Sequence, residues 1–422
     1  MNPSTICAYP FVHMDIEPDG EMQFCCAVGT GKNLDNQGRK FNVTTHSISE
    51  SWNSDSMKSL RTNLINGVQD PRCEFCWGRE RNNNKSYRTG GFVTFPLEQI
   101  KDRIKEATEN NGYLSQLPYD YQVATGNLCN LGCKMCGSKW STNYSKFFKR
   151  FHDTVAEINF VKDSLSVPIA SNEFHKEHDW PVTIGLEKIF EGNYDSIRTL
   201  YLTGGEPTII KEVQDFLEKL VELGYSNRIR IRPNTNCTNI NKQFLEVLSK
   251  FQAVDLILSL DGIDEIANIQ RTFSDWPTIL KNVDTIMSWW QARPVGSGVL
   301  TINTIITSLN LHHVIKLWTT LCERYPNVKF GIAANVVWGE HVNFGVNSVP
   351  AEAVEKIKQY SLNDTYQNNP QYKNMKMAYS LLENLLNTST FAKDYVTIHY
   401  CLDRMKDYHP EYNLKEIYSI YY

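Results

Sequence analysis

The sequence predicts an α/β fold: a partial (β/α)6 barrel, preceded by a small N-terminal α+β segment and followed by a helical C-terminal segment. Three observations predict it. From Tyr119 onward, strand-like runs alternate with helix-like ones, the signature of parallel strands joined by right-handed crossovers. Residues 1–92 are instead rich in Asn, Gly and Ser and carry Cys7, Cys25, Cys26, Cys73 and Cys76. From Pro350 the pattern is helical and rich in Tyr and Asn.

The elements follow in order. Phe11 to Phe24 reads as two short strands around the turn Pro18-Asp19-Gly20. Ile48, Trp52, Met57, Leu60, Leu64 and Ile65 lie at near-helical spacing. Arg81 to Lys85 is polar and reads as a loop, and Phe95 to Thr108 as a linking helix. Barrel strands are expected at Tyr121–Ala124, Thr199–Leu202, Ile229–Arg232, Leu256–Leu260, Thr301–Ile306 and Lys329–Ala333. Helical patterns between them cover Ile210–Leu223, Lys242–Phe251, Trp276–Trp290 and Leu311–Tyr325, and residues 141–198 form a long insertion. The expected domains are therefore 1–92, a linker helix within 93–118, the barrel at 119–345 and a helical extension at 346–422. In such barrels chemistry gathers at the carboxyl ends of the strands.

Composition narrows the function. The 422 residues carry a net charge of −4, with 41% hydrophobic and 21% charged residues, as in an ordinary globular chain. Near-neutral charge gives no electrostatic basis for binding nucleic acid or an anionic membrane surface. No apolar run approaches the ~20 residues that span a bilayer. The first ten residues lack the basic and apolar regions of a secretory signal, so a cytoplasmic location is expected. In that reducing compartment, 11 unevenly spaced cysteines point to metal or redox chemistry rather than disulfides.

The most informative segment is Gly126-Asn-Leu-Cys129-Asn-Leu-Gly-Cys133-Lys-Met-Cys136-Gly137, a C-x3-C-x2-C loop after the first barrel strand. Soft thiolates suit iron–sulfur clusters, zinc or copper(I). Three ligands leave one position open, whereas a closed structural site takes four. Spacing alone leaves open a zinc site with a distant fourth ligand. Further motifs follow later strands: Thr203-Gly204-Gly205-Glu206-Pro207, then Asn234-Thr235-Asn236-Cys237-Thr238, then Ser259-Leu260-Asp261-Gly262 with Arg271, Trp276 and Asn282 downstream. Paired glycines permit close backbone approach, and a carboxylate complements an ammonium.

Taken together and in this order, these motifs resemble the radical S-adenosylmethionine (SAM) superfamily over about residues 119–345. The departures are Met135, where an aromatic residue is usual, and Cys237, where relatives often have glycine. The resemblance implies a partial (β/α)6 radical SAM barrel. Cys129, Cys133 and Cys136 would hold a [4Fe–4S] cluster whose fourth iron binds SAM. Gly204, Gly205, Glu206, Asn236, Ser259 and Arg271 would contact SAM.

In the N-terminal segment, Cys7-x12-Gly20-x4-Cys25 followed by Cys73-x2-Cys76 resembles the auxiliary-cluster region called SPASM. Asn82 stands where its next cysteine would fall, which matches the shorter twitch form with one auxiliary [4Fe–4S] cluster on Cys7, Cys25, Cys73 and Cys76. Cys26 adjoins Cys25, and glycine spacing favours Cys25. Relatives usually carry this region after the barrel. A rubredoxin-like zinc or iron knuckle is the alternative.

Other residues read more plainly. Cys322 and Cys401 lie in helical patterns and read as small buried hydrophobes. Cys237 also reads as packing, although its strand-end position faces the expected SAM site. His175, His178, His312 and His313 lack ligand spacing and read as surface histidines. Trp338-Gly339-Glu340-His341 follows the sixth strand, where substrate could reach. The tyrosines at 418–422 read as core packing.

The function implied by the resemblance is reductive cleavage of SAM to a 5′-deoxyadenosyl radical, which abstracts hydrogen from substrate. The auxiliary cluster would accept an electron from, or anchor, that substrate. Relatives with such clusters commonly modify peptides or proteins; others oxidise small molecules such as aminocyclitols or sugars. A non-catalytic metal-binding protein is a further alternative. The electron donor implied is a flavodoxin or ferredoxin.

Overall fold

The computed structural model describes residues 4–28, 33–144, 177–337, 344–362, 366, 369–393, 395–406 and 408–422. Among them the strands are β1 (His13–Ile16), β2 (Met22–Gln23), β3 (Asp120–Ala124), β4 (Gly132–Cys133), β5 (Thr199–Thr203), β6 (Arg230–Thr235), β7 (Ala253–Ser259), β8 (Arg271–Thr272), β9 (Gly298–Ile306) and β10 (Gly331–Val336). The chain divides into two compact units. One comprises Met1–Leu128, Glu177–Pro233 and Glu246–Ala253; the other comprises Cys129–Lys176, Asn234–Leu245 and Val254–Tyr422.

The first unit is built on strands in the order β6-β5-β3-β1-β2. β6, β5, β3 and β1 run parallel, and β2 turns back antiparallel to β1. The β1–β2 turn closes with Gly20 N–H donating to Glu17 O at 2.8 Å, and Gly20 takes a φ of 84° that suits glycine. β1 pairs with β3 from His13↔Asp120 to Ile16↔Val123. The N-terminal segment thus extends the sheet of the strand that leads into the cysteine loop. The helix Lys211–Glu222 buries Val213, Phe216, Leu217 and Leu220, a one-faced spacing that packs it on the sheet.

The apolar run from Ile48 divides into two helices, Ile48–Trp52 and Asp55–Ile65. Ser47 and Glu50 form a capping box on the first, and Ser54 caps the second. The Ser54 cap restarts the chain, which is why one near-helical pattern yields two helices. Arg61 binds this region together. It is fully buried, lies over the Trp52 ring at 4.1 Å, and donates to Pro10 O, Trp52 O and Gly112 O at 2.7, 2.8 and 2.9 Å. Burial lowers its pKa to about 9.

The second unit carries β10, β9 and β7 in that order, all parallel. The helix Trp276–Gln291 buries Ile279, Val283, Ile286 and Met287; Val314–Arg324 buries Leu317, Trp318, Leu321 and Cys322. Helices Ala351–Ser361, Lys376–Thr388, Val396–Met405 and Leu414–Ile417 follow. Tyr418 and Tyr421 are buried, and Tyr421 OH donates to Ser308 O at 2.6 Å.

All six barrel strands expected from the sequence are present, in a mostly parallel α/β arrangement. Their ends shift by up to three residues. Cys322 and the terminal tyrosines are core, as expected. His313 is not a surface residue: it is buried, and its Nε2 accepts Ile263 N–H at 3.3 Å. His312 packs edge-on against Tyr418 and Tyr421. His175, Trp338 to His341, the side chain of Cys401 and residues 145–176 of the insertion lie outside the described residues. Among the described residues, no helix is long and apolar enough to cross a membrane.

Candidate functional site

The cysteine loop belongs to the second unit. Cys129 and Cys133 are buried with Leu131, and Met135 and Cys136 pack against them. Leu131 N–H donates to Cys129 Sγ at 3.4 Å, and Cys136 N–H to Cys133 O at 3.0 Å. Ser141 Oγ and Thr142 Oγ1 tie the far side of the loop to Leu131 O and Cys129 O, at 2.7 and 3.5 Å. Thr142 thus reaches back to the loop's first cysteine.

β4 and β8 pair antiparallel and set Cys133 opposite Arg271. Arg271 Nη1 donates to Cys133 Sγ at 3.6 Å, while Nη2 meets Asp261 Oδ2 at 2.6 Å. Asp261 is itself fixed, since its Oδ1 accepts Ile305 N–H at 2.7 Å. Arg271 Nε is a buried donor with no partner among the described residues. An orphaned donor of this kind calls for an acceptor. Burial acts to lower the Arg271 pKa, but Asp261 and then Cys133 outweigh it and hold the guanidinium charged. Burial pushes the Cys133 thiol up, against the pull of Arg271. Burial, aided by Cys133, pushes Cys136 to about 12. A soft metal that takes these thiols must displace their protons.

A polar triangle joins the cysteine loop to the loop after β6. Asn236 Nδ2 donates to Asn130 Oδ1 at 3.0 Å, Asn130 Nδ2 to Thr238 Oγ1 at 2.8 Å, and Thr238 N–H to Asn236 Oδ1 at 2.9 Å. Asn282 Nδ2 holds Cys237 O at 2.8 Å from the following helix. Ser259 ends β7, half-buried.

Gly204, Gly205 and Glu206 lie in the first unit, just past β5. A Cβ on Gly205 would stand 2.0 Å from Leu128 O, and one on Gly204 2.6 Å from Thr125 N. Both glycines are therefore required by close approach to the backbone that runs into Cys129. Gly205 N–H and Glu206 N–H donate to Gly126 O and Leu128 O at 3.0 and 2.9 Å. Glu206 is 2% exposed, and its Oε1 accepts from Thr208 N–H and Oγ1 at 3.2 and 2.6 Å.

Cys7, Cys25, Cys73 and Cys76 line one small pocket, also in the first unit, with Phe24, Phe75, Arg72 and Arg88 among its walls. Cys26 is exposed and outside that lining, so the cavity favours Cys25. Ala27 N–H donates to Cys25 Sγ at 3.4 Å. Burial raises Cys7, and burial with Asp70 raises Cys73 to about 12. Arg88 is fixed by Glu80 at 2.5 Å and by Ile6 O at 3.0 Å. It brings a positive charge to thiols that become anionic on metal binding. Among the described residues, no three or more His, Cys, Asp or Glu converge on one metal ion. These four thiols instead face a shared space.

The structure thus gathers the Cys129 triad with Arg271 and Asn236, and separately the four N-terminal cysteines. Sequence reasoning gave no role to Asn130, Arg72 or Arg88, and quoted Thr238 and Asp261 only as members of the strand-end motifs. Their partners are up to about a hundred positions away, and no local pattern announces them.

The radical SAM superfamily model matches residues 123–288, a span holding the triad, Gly204–Glu206, Asn236, Ser259 and Arg271. Residues 123–288 form a radical SAM domain. The SPASM model, an iron-sulfur cluster-binding domain, matches residues 7–77, from Cys7 past Cys76. The SPASM region therefore precedes the radical SAM domain. Similar solved structures include Streptococcus suis SuiB bound to S-adenosylmethionine (14% identity, 78% of this chain and 67% of that one, TM-score 0.39). Native anSMEcpe with bound AdoMet is 19% identical over 65% of this chain and 64% of that one, TM-score 0.39. SuiB bound to the precursor peptide SuiA is 15% identical over 78% and 66%, TM-score 0.38. The chain spans about two thirds of the length of these proteins. No curated protein matches the sequence significantly. A radical SAM domain implies an enzyme with a SAM-binding [4Fe–4S] cluster and SAM, and a SPASM domain implies auxiliary iron–sulfur binding. The residues fit those groups: buried soft thiols in sets of three and four, and an orphaned guanidinium donor beside the set of three.

Proposed function

We propose that this chain is a cytoplasmic radical SAM enzyme that modifies a peptide or protein, with one auxiliary [4Fe–4S] cluster. The observation that carries the reading is the buried C-x3-C-x2-C loop with Arg271 Nε left as a donor beside it. Cys129, Cys133 and Cys136 hold the SAM-binding cluster, and Cys7, Cys25, Cys73 and Cys76 the auxiliary one. Arg271 Nε suits the SAM carboxylate and Glu206 its ammonium, while Gly204, Gly205, Asn236 and Ser259 complete the contacts. When bound and reduced by one electron, cluster and SAM supply a 5′-deoxyadenosyl radical able to take hydrogen from an unactivated carbon. The chain's own residues hold the charged ends of SAM and keep the thiols away from water. The domain limits that go with this reading are 1–92, 93–118, 119–345 and 346–422. The peptide preference is supported by the auxiliary cysteine set, which relatives that modify peptides commonly carry. A flavodoxin or ferredoxin is the proposed electron donor.

The test is anaerobic incubation of reconstituted protein with SAM and dithionite. Formation of 5′-deoxyadenosine by the wild type, and none by a Cys129/Cys133/Cys136→Ala variant, is expected. No 5′-deoxyadenosine from the wild type overturns the reading in favour of a non-catalytic metal-binding protein. A mass change on peptides encoded beside the enzyme supports the peptide substrate. Turnover confined to aminocyclitols or sugars replaces it.

A further inference from the structure

We propose that Arg271 sets the reduction potential of the triad's cluster through its contact with Cys133, and that Asp261 is the positioning residue that aims it. This rests on the reading of Cys129, Cys133 and Cys136 as cluster ligands.

The hydrogen-bond contact is with Cys133. Arg271 Nη1 stands 3.6 Å from Cys133 Sγ, and its β-ladder position directly opposite Cys133 fixes that approach through the backbone. The other arm, Nη2, is held by Asp261 Oδ2 at 2.6 Å. Asp261 cannot swing away, because Ile305 N–H holds its Oδ1 at 2.7 Å and Asn310 Nδ2 holds its backbone O at 2.8 Å. Arg271 and Asp261 are 8% and 1% exposed, so water screens the charges little. A planar fork locked at one arm presents the other in a constant direction. Nε is left over for a second acceptor. One guanidinium thus serves a ligand sulfur and keeps a donor in reserve.

The physical effect follows. A hydrogen bond and a positive charge at a ligating sulfur stabilise the reduced cluster, which carries one more negative charge. Buried and unscreened, Arg271 therefore makes the cluster easier to reduce. Cys133 receives a charged donor from Arg271, while Leu131 N–H donates to Cys129 Sγ. The auxiliary set has no equivalent ion-paired donor recorded at sulfur among the described residues.

The experiment is potentiometric titration of the reconstituted holoenzyme, followed by electron paramagnetic resonance. The triad's signal is assigned by its loss in the Cys129/Cys133/Cys136→Ala variant. Arg271→Gln is expected to move that cluster's midpoint to more negative potential, leaving the auxiliary signal in place. Arg271→Lys, which keeps the charge without the fork, is expected to shift it less in the same direction. Besides the coupling of Leu131 N–H at Cys129 Sγ, a second exchangeable proton coupled to the cluster, seen by electron–nuclear double resonance before and after transfer to D2O, is expected in the wild type. It should be lost in Arg271→Gln and weakened in Asp261→Asn. The proton coupling is the decisive reading for Asp261→Asn, because removing its carboxylate alone raises the potential while detaching Arg271 lowers it. An unchanged midpoint in Arg271→Gln and Arg271→Lys with iron content retained overturns the proposal. If Arg271→Gln fails to assemble the cluster, Arg271→Lys and the proton coupling decide it. Absence of any triad-dependent signal in the wild type overturns the cluster assignment itself, and is distinguishable from an unshifted midpoint.

Discussion

Cys237 has a φ of 63° and is completely buried, a combination that a side chain tolerates at a cost of about 1–2 kcal/mol. Relatives' glycine at this place is thereby explained: the loop after β6 requires a left-handed residue. In Cys237→Gly, relief of that strain and loss of a buried thiol are terms of similar size, so stability should stay within about 1 kcal/mol of wild type. Cys237→Val has no such relief and a branched Cβ, and should lose about 2 kcal/mol or more. Urea titration of both variants checks this, and equal losses would contradict it. At this scale the sequence was legible where the chemistry is local. The triad, Gly204–Glu206 and Cys25 stand in motifs that the sequence displays, and the structure buries the triad's loop, packs both glycines against backbone and sets Cys25 in a pocket with three other cysteines. Asp261 could not be assigned its task, because its partner Arg271 is defined by a two-strand pairing that no periodicity records. His313 was misread for a similar reason, since burial of a histidine depends on what packs over it.

Among the elements, Arg61 joins the helix Tyr9–Val12, the helix Ile48–Trp52 and the loop at Gly112 through three carbonyls. Arg61→Ala leaves those acceptors orphaned beside a cavity, and should cost about 3–5 kcal/mol. Hydrogen exchange should show the loss first in helices Asp55–Ile65 and Leu97–Glu109; unchanged protection there would contradict the account. Gly205→Ala places a Cβ 2.0 Å from Leu128 O, so the backbone entering Cys129 must move. The expected result is normal auxiliary iron with reduced triad iron, measured per chain. Uniform loss or no loss would count against it. Strand and helix identities were readable from alternation and one-faced apolar spacing. Two features were not. The Ser54 cap divides one apolar pattern into two helices. The β1–β3 pairing links residues 107 positions apart, as at His13↔Asp120, and only the fold states it.

For the whole molecule, pH dependence follows from His312 and His313. Burial, with His313 beside it, lowers His312 to about 3, and burial, with Lys316, lowers His313 to about 4. Both titrate near 6.5 when unfolded. Below about 6.5 the unfolded chain therefore binds protons that the folded chain refuses. Stability should fall as pH drops from 6.5 towards 4, by up to about 1.4 kcal/mol per pH unit for each histidine, and be insensitive to them above 6.5. Urea titrations at pH 7.5 and 5, repeated on His312→Leu, check this; an unchanged pH slope in the variant would contradict it. The overall class was legible because two cysteine patterns and three strand-end motifs occur in a fixed order. The substrate is not written in those motifs, which serve the cofactors.

The central claim is that one chain holds two separate clusters. Iron and sulfide per chain after anaerobic reconstitution test it most directly. About eight iron atoms are predicted for the wild type, and about four for each of Cys129/Cys133/Cys136→Ala and Cys7/Cys25/Cys73/Cys76→Ala. Zinc with little iron in all three proteins, or four iron atoms in the wild type that survive removal of either set, would contradict it.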